Sequence, residues 1–184
     1  MSYMSRLTRE IWLIVVFITV IWCVFFFDQL LPLEIFGLRP RNVFGLVGIP
    51  SMTFLHGSLS HILSNTFPLA TLLLLLVSSR ANSMLVVVLI ILIGGAMLWL
   101  LGDSRTIHIG ASLLVFGLAG FLLTNGFFIE RKLLTVLISI FVLFSYGGAL
   151  LSGVVPWQKG ISWDGHLYGL IAGVIVAFCV AKKR

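Results

Sequence analysis

Ser112, His166, His61 and Asn65 are residues whose types could together form and stabilise an acyl intermediate. A serine hydroxyl attacks a carbonyl well only when a neighbouring base takes its proton, and imidazole is suited to that task near neutral pH. An imidazole N–H and a carboxamide N–H are donors of the kind that hold the resulting oxyanion. His61 and Asn65 stand four residues apart and share one helical face. His56, five residues earlier, would fall about 140° away on the same helix, so it belongs to the entry of that segment. Ser112 follows Gly110, and Phe116, Ala119 and Gly120 lie on its helical face. His166 is followed on one face by Gly169 and Gly173, continuing a series that starts at Gly165.

Each cluster has an ordinary structural meaning. A serine in an apolar helix commonly bonds its own backbone, and glycines four residues apart let helices approach closely. The glycine series places His166 on the side of its helix that another backbone can touch. If Ala119 and Gly120 supply that partner surface, His166 is brought towards Ser112.

The elements carrying these residues are membrane helices. Of 184 residues 60% are hydrophobic and 10% charged, which describes a chain that lives in lipid. Six apolar stretches, near 11–27, 59–78, 83–101, 111–128, 132–151 and 163–181, each match the about 17 to 25 residues of a spanning helix. The first follows Arg6 and Arg9, but 22–37 lacks a small-residue cleavage pattern, so it is expected to remain as a span. The fold class expected is all-α, a single six-helix membrane domain over 1–184.

Twelve Lys and Arg against six Asp and Glu give a net charge of +6. In this composition the excess reads as membrane orientation rather than as a nucleic-acid surface. With both termini inside, Arg6, Arg9, Arg80, Arg131, Lys132, Lys182, Lys183 and Arg184 lie inside, and Arg39, Arg41, Arg105 and Lys159 outside. Eight against four favours cytoplasmic termini. Spans two, four and six then all run inwards, and His61, Ser112 and His166 share one shallow depth below the outer surface.

Residues 28–58 are apolar but broken by Pro32, Pro40, Pro50 and several glycines, a pattern expected of a loop lying at the outer interface. Trp157 and Trp163 around Lys159 have interfacial composition too. Cys23 and Cys179 fall near opposite ends of their spans and are expected to stay unpaired.

The set His56-x4-His61-x3-Asn65, Gly110-x-Ser112 and His166-x2-Gly169-x3-Gly173, in this order and on spans two, four and six, resembles the rhomboid intramembrane serine proteases. The resemblance implies a six-helix fold and a Ser112–His166 dyad without an acidic third member. It also implies oxyanion donors at His61 and Asn65, a structural role for His56, and an aromatic ring at Phe116 packed on the catalytic imidazole. Substrates would be transmembrane segments of other membrane proteins, cut near the extracytoplasmic face, with no cofactor. Span five and the Trp157 loop would form a gate and a cap, and the location expected is a bacterial inner membrane.

One position departs from the family pattern. Rhomboids usually read Gly-x-Ser-Gly, whereas Leu113 follows Ser112 here; a leucine can adopt helical dihedrals, so the helix start is kept, and the open question is whether its side chain fills room that glycine leaves. A crowded site would make the chain a non-catalytic relative that binds transmembrane segments without cutting them. Other chemistries lack their residues. No His-Glu-x-x-His is present for a zinc protease, so no metal site is expected, and Asp28, Asp103 and Asp164 stand at span ends rather than paired within spans. A transporter is disfavoured because no span carries a mid-membrane charge.

Overall fold

The computed structural model describes residues 3–79, 82–156 and 162–181. Six long helices occupy the apolar segments: α1 (Tyr3–Asp28), α2 (Leu59–Ser79), α3 (Ser83–Leu101), α4 (Ser112–Thr124), α5 (Leu133–Gly153) and α6 (Trp163–Cys179). By length and composition α1, α2, α3, α5 and α4 with its continuation to Glu130 can cross a membrane. The sixth, α6, has 17 residues and so runs about 26 Å, close to the about 30 Å of a hydrocarbon core. β pairing among the described residues is one isolated antiparallel bridge, Leu38 with His108. The molecule is an all-α membrane bundle.

Helix ends follow local chemistry. Nothing between Met4 and Glu10 breaks a helix, so α1 begins at Tyr3, well before the apolar run starts. It stops at Asp28, whose carboxylate accepts the Leu33 N–H at 2.7 Å just beyond Pro32. Ser58 Oγ accepts the His61 N–H at 3.1 Å and so caps the start of α2. After α4 the chain widens into a π-helical turn, Asn125–Glu130, and Arg131 ends it in the left-handed region at φ 52°.

α4 forms the centre. It is apolar all round, and all its residues from Leu113 to Thr124 except Leu123 are buried, as expected for a helix enclosed by others. α6, α5, α2 and α3 pack around it, and α1 leans against α2 from outside.

The tightest crossing is α4 on α6. A Cβ added at Gly169 would collide with the Leu113 carbonyl, one at Gly173 with the Gly117 carbonyl, and one at Gly120 would lie 2.6 Å from the Leu170 carbonyl. The glycine series thus meets a partner on α4, as its spacing predicts, with one shift. The touching side is Leu113, Gly117, Gly120 and Phe121, whereas Ala119 turns into a cavity. Gly165 faces the Ser162 cap and Leu98 instead of α4.

The segment between α1 and α2 is a run of short turns: 3-10 turns at Leu33–Phe36, Val43–Val47 and Met52–Phe54, and one helical turn at Gly48–Ser51. Val43 and Phe44 project outwards while Leu38 is fully buried, which fits a loop lying on the bilayer interface. It is fastened to the end of α3. Arg41 donates to the Leu100 and Gly102 carbonyls at 3.2 and 2.9 Å, satisfying acceptors that a helix C-terminus leaves free. Cys23 and Cys179 are free thiols. The loop holding Trp157 and Lys159, and the charges Arg80, Lys182, Lys183 and Arg184, lie outside the described residues.

Candidate active site

Ser112 is the first residue of α4, and three anchors hold the chain leading to it. Leu38 and His108 exchange backbone hydrogen bonds at 3.0 and 2.8 Å, the Gly110 N–H donates to the Met52 carbonyl at 2.8 Å, and the Ala111 N–H donates to His56 Nε2 at 3.3 Å. Gly110 has φ +108°, and an added Cβ would stand 2.6 Å from His61 Nε2 and 3.8 Å from Asn65 Nδ2. Only glycine fits both the turn and the space. These same distances place both candidate oxyanion donors beside the turn into α4. Asn65 Nδ2 spends one hydrogen on the His61 carbonyl at 2.9 Å, which leaves the other free. The Ser112 backbone N–H belongs to the first turn of α4, where helix N–H groups lack intrahelical partners.

His56 is fully buried, its ring meeting that of His61 edge-on with centroids 5.0 Å apart. Burial, reinforced by neighbouring His61, lowers its pKa from 6.5 to about 4. The neutral ring is the form that can accept the Ala111 N–H. Because the unfolded chain takes up this proton near pH 6.5 and the folded one only near 4, stability is complete above the first value and declines as pH falls towards the second. The loss expected is about 3 kcal/mol. Thermal unfolding of the detergent-solubilised protein at pH 7 and 4.5 should show a drop in the native chain and a smaller one in His56→Gln. An equal drop in both would assign the effect elsewhere.

The His166 ring is clamped twice. Phe116 stacks on it with centroids 4.0 Å apart and planes 10° off parallel, and Nδ1 lies 3.0 Å from the Gly153 carbonyl at the end of α5. A carbonyl only accepts, so Nδ1 carries the hydrogen and Nε2 of the neutral ring has the free lone pair. Ser112, His166, His61 and Asn65 line one cavity of about 500 Å³ with His108, Pro68, Leu72, Ala119, Tyr146 and Leu150 among its other walls. Ser112 and His166 are not hydrogen-bonded to one another; resting sites often hold such pairs loosely.

His108 is a site neighbour that no motif or spacing marks. It is buried, its Nδ1 is 2.7 Å from Ser162 Oγ, and its Nε2 is 2.8 Å from Thr106 Oγ1 and 3.8 Å from Asp164. Ser162 gives its own hydrogen to Asp164 at 3.0 Å, so Nδ1 is the donor in the shorter contact. Burial lowers the His108 pKa, and the Asp164 carboxylate opposes that shift. The network ties the loop before α4 to the start of α6, two residues from His166. Ser162 is readable as a helix cap, since its hydroxyl also accepts the Gly165 N–H at 3.3 Å. His108 sits in an irregular loop, where no periodicity marks it.

Residues 43–183 match the model of the Rhomboid domain. The chain belongs to the rhomboid family. Its relatives include the uncharacterized proteins Rv1337 of Mycobacterium tuberculosis and ML1171 of Mycobacterium leprae, each 36% identical over 93% of this chain and over 75% and 71% of their own lengths. This rhomboid is thus an integral membrane protein with bacterial relatives.

Within the rhomboid framework, Leu113 has a seat outside the cavity for its side chain. It is buried and absent from the cavity wall, because its side chain turns towards α3. A Cβ at Gly94 would lie 2.9 Å from Leu113 Cδ2, and the adjoining surface is Ala172 of α6. The volume added after the serine is received by a glycine on another helix. Leu113→Gly is therefore expected to destabilise the fold by about 3 kcal/mol through the cavity it opens, without raising any proteolysis. Unfolding and cleavage assays check both halves, and a several-fold gain in cleavage would mean that Leu113 does obstruct the site.

Proposed function

We propose that this rhomboid is an intramembrane serine endopeptidase that cleaves transmembrane segments near the extracytoplasmic face. The observation that carries the reading is the shared cavity. Ser112, His166, His61 and Asn65, from three helices, line it together, and the imidazole is oriented so that Nε2 is its basic nitrogen. As Ser112 Oγ attacks the peptide carbonyl, His166 Nε2 takes the hydroxyl proton and later delivers it to the leaving nitrogen. The acyl-enzyme is then hydrolysed by water reaching the cavity from the outer side. His61, Asn65 and the Ser112 N–H hold the oxyanion; loss of one such donor typically costs about 10² to 10³ in rate.

The six helices act as one unit, with both termini cytoplasmic and the cavity opening outwards. A substrate helix hides its carbonyls in hydrogen bonds, so it must unwind near its outer end before attack, which favours Gly, Ala, Ser or Pro there. No cofactor takes part. The test is a fluorophosphonate probe added to the purified protein in detergent, followed by peptide mapping. A phosphonylated Ser112 is expected. A folded protein that takes up no probe at Ser112 would instead be a non-catalytic relative that binds transmembrane segments.

A further inference from the structure

The Ser112–His166 pair has no acidic third member, yet Nδ1 of His166 is not idle. Its partner, Gly153, is the last residue of α5, and the final carbonyls of a helix have no intrahelical donor. They also form the negative end of the helix dipole. In a bilayer an unpaired carbonyl is costly, so the Nδ1–H bond satisfies a group that α5 leaves exposed. We infer that the Gly153 carbonyl does for His166 what the aspartate does in a Ser-His-Asp triad, making Gly153 a positioning residue for the base. The inference rests on the dyad reading of Ser112 and His166.

Two restraints are needed to aim an imidazole, and each is visible. The Phe116 stack sets the plane of the ring but permits a half-turn about χ2 that exchanges nitrogen for carbon at the working edge. The 3.0 Å bond to Gly153 removes that freedom and fixes the tautomer. Residue 153 must lack a side chain for both restraints to coexist. A Cβ there would lie 2.5 Å from Phe116 Cζ and 3.0 Å from His166 Nδ1. During the reaction Nε2 accepts the Ser112 proton and passes it to the leaving amide nitrogen as the C–N bond breaks. The Nδ1 proton stays on the ring throughout, and the partial negative charge of the carbonyl stabilises the transient imidazolium. A neutral acceptor does this less strongly than a carboxylate, whose loss from a triad costs about 10⁴ in kcat.

The test is nitrogen-15 NMR of histidine-labelled protein in detergent, with His166 assigned by its absence in His166→Gln. The expected spectrum has a protonated Nδ1 and a bare Nε2. A neutral ring protonated at Nε2 would overturn the inference. Gly153→Ala should mix the tautomers and lower kcat by about 10²-fold with KM within about twofold. Gly148→Ala, whose Cβ meets nothing within 4 Å on the same helix, should change neither. Unchanged tautomer and kcat in Gly153→Ala would also overturn it. The wild-type spectrum decides the matter even where the variant folds poorly. A chain that shows the expected tautomer but takes up no fluorophosphonate would sink the protease reading alone.

Discussion

Ser112→Ala, His166→Ala and the double substitution are each expected to lower cleavage of a transmembrane substrate by about 10⁴ to 10⁶, to nearly the same residual level. The near-equality follows from how the two groups work. Without a base the hydroxyl keeps its proton, and without the hydroxyl the base has nothing to activate, so the second loss adds little to the first. The residue of activity that remains is expected from the proposed oxyanion donors, which lie on α2 and at the turn into α4 and are untouched by either change. Substrate binding should be preserved, because the cavity wall contains mostly other residues. Cleavage of a purified substrate in detergent and in liposomes, with binding measured in parallel, checks this. Losses that multiply in the double variant would mean that Ser112 and His166 act separately, and the dyad would be wrong.

The polar residues of this site were legible because they stand out against lipid-compatible sequence. His61 and Asn65 share a face at four-residue spacing, and the structure puts both at the Gly110 turn. His166, Gly169 and Gly173 were readable for the same reason, and their helix meets the one that carries Ser112. What stayed hidden involves groups without a polar signature. The acceptor at Gly153 is a backbone carbonyl, and any residue has one. The seat for Leu113 is Gly94 on another helix, a pairing that neither residue announces. α4 is apolar all round, so hydropathy could not say which side faces α6 and which faces the cavity; Ala119 went to the cavity for that reason. His108 lies between Ile107 and Ile109 in a loop whose shape depends on pairing with Leu38, seventy residues earlier in the chain. Such contacts are set by tertiary packing, and periodicity carries no record of them.

Gly173→Leu is expected to abolish cleavage and cost more than about 4 kcal/mol of stability while leaving helix content nearly unchanged. The atoms in the way are backbone. A Cβ at 173 collides with the Gly117 carbonyl and lies 2.8 Å from the Phe121 nitrogen, and neither can swing aside as a side-chain tip would. Relief has to come from moving α6 away from α4. In lipid this separation is not resisted by a hydrophobic force, since lipid tails are as apolar as the buried surface; the interface depends on close van der Waals contact, which falls off steeply with distance. His166 lies seven residues up the same helix, about 10 Å along its axis, and must move with it. A shift of about 1 Å at a reacting centre can cost 10²-fold, and a leucine demands more than that. The individual helices persist because their own hydrogen bonds are internal and cannot be exchanged for water. Gly148→Leu on α5 supplies the contrast, since a side chain there points at open surroundings and should leave both properties intact. Circular dichroism, thermal unfolding and cleavage of the two variants separate the cases. A Gly173→Leu protein that still cuts its substrate would show that α4 and α6 need not touch to align serine and histidine.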